Sequence, residues 1–221
     1  LQKDSAGRST GKTLQGSVAL AYLSWLRDDI PKLIKICDKA LEQYRKKLGL
    51  EEFWNLKGMV SDRSEQEANY TQAISHCPHY SWGYYMRANS LFYQGKLEQA
   101  ADDFSRAVEI NPRLADAFNG RGVVRWRLGQ ISEAEKDFTR AVSIDPTTSN
   151  YWNNRGAVRF NLGRAQEALE DYKKAVTLSP KYSDAHYNWG NILLARKQYE
   201  EAIQKYDLAI EYRSDRAVYF H

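Results

Sequence analysis

Small, apolar and polar positions along this chain repeat at a single step of 34 residues. Ala100, Ala134, Ala168 and Ala202 form one column at that step; Ala107, Ala141, Ala175 and Ala209 form a second. Phe104, Phe138, Tyr172 and Tyr206 keep an aromatic between them. Ala88, Gly122, Gly156 and Gly190 make a small-residue column, and Pro78, Pro112, Pro146 and Pro180 a punctuating one. Ala134, Phe138 and Ala141 stand four and three residues apart, the spacing that puts side chains on one face of a helix. A small residue at Gly122 or Gly156 lets a second helix come close. Gly95, Gly129 and Gly163 mark a tight turn, two of them preceded by Leu128 and Leu162. Each proline ends one helix and opens the link to the next unit. The predicted unit is therefore helix, tight turn, helix, proline.

This period, with these small, aromatic and proline positions, resembles the tetratricopeptide repeat. The resemblance implies an all-α, right-handed α-solenoid of tandem helix-turn-helix repeats. Four regular units span 81–114, 115–148, 149–182 and 183–216, together 81–216. Residues 13–80 read as two degenerate units, the first with Pro31 opening its second helix. In the other, Tyr70, Ala73 and Pro78 fit the second helix, while Trp54 and Gly58 align with Trp152 and Gly156. Gly58 and Tyr70 are then 12 apart where Gly156 and Tyr172 are 16 apart, so either the turn is four residues shorter or residues are missing between Val60 and Ser61. Residues 1–12 read as a flexible tail, and 217–221 as the start of a further, truncated unit. The last unit lacks the polar cap that ends such stacks, so the chain is expected to be part of a longer protein or to pair its open end.

Arg87, Arg121 and Arg155 form a column, and Asp103, Asp137 and Asp171 follow each 16 residues later. They are expected to pair between the two helices of a unit, a guanidinium fork gripping a carboxylate. In the last unit Trp189 and Lys205 stand in their places. The repeat family uses the concave groove lined by its first helices to hold ligands. Mapped onto this chain, that surface is expected to centre on Trp82, Tyr85, Asn89, Tyr93, Asn119, Trp126, Asn153, Tyr187 and Asn191. Aromatics there offer apolar pockets, and asparagine amides offer a donor and an acceptor to a partner's backbone. The implied function is a protein–protein interaction scaffold or adaptor that binds a peptide, helix or partner subunit. The alternative is a structural or assembly-factor subunit of a large complex, using its convex face and ends. A third reading is single-stranded RNA binding, as in the related pentatricopeptide repeats. The family's clamp for a chaperone's C-terminal carboxylate is not matched, because Tyr85, Gly120, Asn150 and Asn154 stand at four of its positions.

Charge changes the picture little. The net +4 arises in residues 1–48, with ten Lys/Arg against five Asp/Glu, while the remainder holds 22 against 23. A neutral body argues against a phosphate-tracking groove, so no nucleic-acid partner is expected. With 43% hydrophobic residues the chain can bury a core, and its longest apolar run, Val18 to Leu26, is too short to span a bilayer. The opening residues carry no apolar core of the secretory kind, and a location inside the cell, cytoplasmic or organellar, is expected. Ala6–Thr13 resembles a phosphate-binding loop but has no strand to hold it. His76, Cys77 and His79 lack the further ligands that structural zinc needs, so no metal is expected. Cys37 and Cys77 read as free thiols. No nucleophile–base set or carboxylate pair stands out from the repeat, and neither catalysis nor a cofactor is expected.

Overall fold

A computed structural model of the chain describes residues 14–43 and 50–217. The Ala6–Thr13 loop, the basic Arg45–Lys47 run and residues 218–221 lie outside that range. All the described regular structure is α-helical, in two compact units, Leu1–Pro112 and Arg113–His221. In the first unit, α1 (Leu14–Leu26) pairs with α2 (Ile30–Gln43), α3 (Glu51–Val60) with α4 (Arg63–His76), and α5 (Ser81–Tyr93) with α6 (Leu97–Ile110). In the second, α7 (Ala115–Arg127) pairs with α8 (Ile131–Ile144), α9 (Ser149–Asn161) with α10 (Ala165–Leu178), and α11 (Ser183–Ala195) with α12 (Tyr199–Ala217). Within each unit a hairpin touches only its neighbours, the nearest-neighbour packing of an α-solenoid.

The columns of the sequence explain the helix ends. Cys77, Asn111, Asp145 and Ser179 each precede a proline and each adopt an extended backbone, φ −138° to −127° and ψ 91° to 94°. The proline ring crowds the preceding residue out of the helical region, and the helix stops there. At the equivalent place in the last hairpin stands Ser214, and α12 runs on to 19 residues where the other second helices have 14. Ala217, read from the sequence as the start of another unit, is instead the last residue of α12.

Gly95, Gly129 and Gly163 sit at φ +79°, +77° and +76°, and in each case the following N–H bonds back to a carbonyl of the first helix. Glycine takes that left-handed conformation without a Cβ penalty. The close approach falls on the other glycine column. A Cβ on Gly122 would lie 2.8 Å from the Phe138 ring, and one on Gly156 2.7 Å from Tyr172. Gly58 repeats this contact with Tyr70. The four-residue shortfall there is taken up partly by the helix and partly by the link. α3 has 10 residues against 13 in α9, and two residues join it to α4 against three between α9 and α10.

Candidate interaction surface

The three Arg–Asp columns meet as forked pairs between the helices of a hairpin. Arg87 donates from Nε and Nη2 to the two oxygens of Asp103 at 2.7 and 2.8 Å. Arg121 grips Asp137 at 2.9 and 2.7 Å, and Arg155 grips Asp171 at 2.9 and 2.6 Å. All three carboxylates are buried. A buried carboxylate needs several donors, and two more arginines supply them: Arg125 to Asp137 at 2.7 Å and Arg159 to Asp171 at 3.0 Å. Arg159 also donates to Glu135, as does Arg164. Burial of Glu135 raises its pKa, but these two arginines outweigh it and hold the carboxyl below its ordinary value. In the last hairpin the Arg–Asp pair becomes a cation over a ring, with Lys205 Nζ 4.0 Å from the Trp189 centroid. The forked arginines thus close their own hairpins, while Arg159 and Arg164 also reach back to Glu135 on α8 of the hairpin before.

The asparagines of the first helices fall into two groups. Asn154 on α9 donates to Asn119 on α7 at 2.9 Å and to its own neighbour Asn150 at 2.7 Å. One hairpin further on, Asn188 on α11 donates to Asn153 at 3.0 Å. Asn153 is only 6% exposed, so its amide ties first helices together. Asn89 donates to the Tyr85 carbonyl of its own helix, and Asn191 accepts from the Tyr206 hydroxyl at 2.9 Å. A tyrosine also bridges two first helices, the Tyr151 hydroxyl on α9 donating to Asp116 on α7.

The aromatic members are equally divided. Trp126 packs with Val123 and Ile131 over the buried Ala134, Phe138 and Val158. Trp82 lies 4.8 Å from Tyr85, whose ring is 6.0 Å from Phe104. By contrast Tyr93 on α5 is 70% exposed, and on α11 Tyr187 and Leu194 are 55% and 48% exposed. On α11 these two line a cleft of about 670 Å³ with Ser183, Asp184 and Asn191. Tyr206, Ala209, Ile210 and Arg213 of α12 form its other wall. The structure thus brings Tyr187 and Asn191 to one cleft and places Trp82, Tyr85, Asn89 and Tyr93 together on α5. A cleft of aromatic, aliphatic, amide and charged groups suits a peptide or helix.

The remaining candidates are structural in their surroundings. His186, buried, donates from Nε2 to the Pro180 carbonyl at 2.8 Å. A carbonyl can only accept, so the proton lies on Nε2. Trp152, one period earlier, makes the same contact to the Pro146 carbonyl at 2.9 Å. His76 stacks on Trp54 at 6.5 Å. Among the described residues no group of His, Cys, Asp or Glu is placed to hold a metal ion, and no helix is long and apolar enough to cross a membrane. Cys37 is buried, which with nearby Asp38 pushes its thiol pKa up to about 12 despite Lys57.

Family models described as tetratricopeptide repeat match residues 85–149, 149–182 and 183–216. No curated protein matches the sequence. Among solved structures, the chain is similar to YrrB, described as a TPR protein with an unusual peptide-binding site. Identity is 25% over 81% of this chain and 93% of that one, with a TM-score of 0.66. It is also similar to the first TPR of Spaghetti (RPAP3) bound to the HSP90 peptide SRMEEVD, at 26% identity over 53% of this chain and 93% of that one, TM-score 0.52. A match within the APC/C hetero-tetramer Cut9-Hcn1 covers 93% of this chain and 41% of that one at 18% identity, with a TM-score of 0.74.

Proposed function

Because the chain belongs to the tetratricopeptide repeat family, we propose that it is a protein-interaction scaffold that takes a peptide or helix of a partner on the face of its first helices. The observation that carries this reading is the exposure of Tyr93, Tyr187 and Leu194 on helices whose other large apolar groups are packed. Tyrosine and leucine side chains in contact with water gain free energy when a partner covers them. YrrB and the Spaghetti domain, the two peptide-related structures at 25% and 26% identity, support the same kind of ligand. The buried Asn153 serves the scaffold, and the exposed aromatics and Asn191 serve the partner. The test is affinity capture with cross-linking. Tyr93→Ala and Tyr187→Ala are expected to reduce partner recovery while circular dichroism stays unchanged. Recovery equal to that of the parent protein would move the contact off this face.

A second reading, a subunit of a larger assembly that docks through its ends, is favoured by α1. That helix carries no charged side chain and leaves Tyr22, Leu23 and Trp25 exposed. A helix without charge that carries large apolar groups on its exposed side gains when a further neighbour covers them. Trp25→Ser is then expected to abolish assembly while the first-helix variants retain it.

A further inference from the structure

The asparagine bonds that join first helices fail at α3 and leave one acceptor stranded there. In the second unit Asn119 accepts from Asn154, and Asn153 from Asn188, each bond tying one first helix to the next. Gly58 meets the Tyr70 ring as Gly156 meets Tyr172, and on that alignment Asn55 of α3 is the counterpart of Asn153. The donor should come from α5, at the position of Asn154 and Asn188, but that position holds Met86. A thioether has no proton to give. Asn55 is 2% exposed, and its Oδ1 is buried without a hydrogen-bond partner. Its Nδ2 reaches only the Met59 sulfur, at 3.9 Å. A buried amide oxygen left unpaired destabilises the fold, and such a group calls for a donor.

The groups around Asn55 decide which donor fits. One turn earlier on α3 stand Glu51 and Glu52, half-buried, and among the described residues no basic side chain pairs with either. Glu52 faces phenols instead. Burial first, and then the Glu52 charge, raise the Tyr22 and Tyr80 hydroxyls above their ordinary values. The Tyr80 ring lies over Gly83, where a Cβ would come within 2.9 Å of it. The α3–α5 step therefore gathers an unpaired carbonyl oxygen and unpaired carboxylates beside the chain's two methionines, Met59 and Met86. Resting on the reading that a partner segment lies on the first-helix face, we infer that this step takes a lysine side chain of that segment. The unbranched stem runs along the adaptable thioethers, and the ammonium donates to Asn55 Oδ1 and to Glu52. A lysine suits the place better than an arginine. Its compact charge needs few acceptors, whereas a guanidinium would leave donors unpaired among methionines. Reaching the oxygen requires α3 and α5 to part, and the missing amide bond is what lets them.

The probe is an end-blocked nonapeptide of alanine and leucine with one central lysine. It is titrated against the nitrogen-15-labelled full chain and followed by nuclear magnetic resonance at the Asn55 side-chain amide. Saturable shifts are expected. The same peptide with norleucine, which keeps the stem and lacks the ammonium, is expected to bind about five- to ten-fold more weakly, the scale of one charge-assisted hydrogen bond. Glu52→Gln is expected to remove most of that difference by weakening the lysine peptide alone. Met86→Asn supplies from within the chain the donor that Asn188 gives to Asn153. It is expected to raise the midpoint of thermal unfolding and to erase the preference for lysine. Glu52 and Met86 are half-buried, and unchanged circular dichroism confirms that each variant folds. Equal affinity for the two peptides, or a lysine preference that survives both substitutions, overturns the inference. A raised midpoint in Met86→Asn with the preference intact gives Asn55 a purely structural part and overturns it as well. Failure of the probe with partner capture still dependent on Tyr93 and Tyr187 sinks the lysine site alone. Lysine-selective binding with capture indifferent to those two tyrosines sinks their role in the first-helix reading alone.

Discussion

The glycine column allows one substitution to be made in two settings that differ only in what surrounds the opposing ring. In Gly156→Ala the new Cβ would lie 2.7 Å from Tyr172 Cε1, 2.9 Å from its Cδ1 and 3.2 Å from the Ala168 carbonyl oxygen. Tyr172 is buried against Ala168, Leu169 and Ile192, and a backbone oxygen cannot rotate aside. In Gly190→Ala the Cβ would meet Tyr206 at 2.6, 2.8 and 3.1 Å, side-chain atoms in every case. Tyr206 lines the open cleft and can swing toward it. Alanine in a helix interior is favoured over glycine by about 1 kcal/mol in both variants. Forcing a methyl group into a packed interior costs about 1–3 kcal/mol, and the closed site of Gly156 belongs at the upper end. Gly156→Ala is therefore expected to destabilise by about 1–2 kcal/mol. Gly190→Ala is expected to fall within about 0.5 kcal/mol of zero, its strain relieved by ring movement that sacrifices at most the bond to Asn191, worth about 1 kcal/mol. Urea unfolding followed by far-ultraviolet circular dichroism gives the difference, and hydrogen exchange shows which hairpin opens first. Equal shifts for the two variants, or a Gly156→Ala protein more stable than the parent, would refute the argument from ring confinement.

Three further outcomes follow from buried charge and burial itself. Asp137→Ala leaves Arg121 and Arg125 facing each other without their carboxylate, and is expected to cost about 3–5 kcal/mol in urea unfolding. Asp103→Ala, which strands only Arg87, is expected to cost less. In a thiol-labelling time course at pH 8 the half-buried Cys77 is expected to react first, and the buried Cys37, its pKa raised to about 12, only as the chain unfolds. Glu135 titrates below its ordinary value of 4.5 in the folded state, so its stabilising effect is complete above the unfolded pKa and is lost as pH falls through the folded one. Glu135→Gln is accordingly expected to flatten the fall in stability below about pH 5 while lowering stability at pH 7.

The helices and their ends were legible because each rule acts at one position of the repeat. A proline column places the extended residue before it, and a glycine column places the ring opposite it. The Arg–Asp pairs were legible for the same reason, being two columns 16 residues apart within one hairpin. The second arginines were present as a period of their own, Arg125 and Arg159, but only the structure shows that they reach Asp137 and Asp171. Contacts between hairpins were harder to read. Tyr151 meets Asp116, Asn154 meets Asn119 and Asn188 meets Asn153, each 35 residues away. Neighbouring first helices thus touch one residue off the period, and a comparison of columns cannot show that two of them bond to each other. The asparagines of α7 and α9 look like partner-binding groups in the sequence, and only the structure adds that Asn119 and Asn153 accept hydrogen bonds from the next first helix.

Among the four regular units, the departures from the repeat concentrate in the last hairpin. Lys197 occupies the turn position held elsewhere by glycine and adopts φ +60°, a conformation that costs a side-chain-bearing residue about 1 kcal/mol. Trp189 and Lys205 hold the hairpin together by a cation over a ring, without a buried carboxylate. Ser214 in the proline column lets α12 continue, which keeps Arg213 helical where its equivalent Asp145 is extended. Tyr187 ends the asparagine ladder. The turn and the interhelical pair keep the hairpin closed by other chemistry, so those changes preserve the fold. The loss of the proline and of the ladder alters only the outer face, lengthening one wall of the cleft and making the other more apolar.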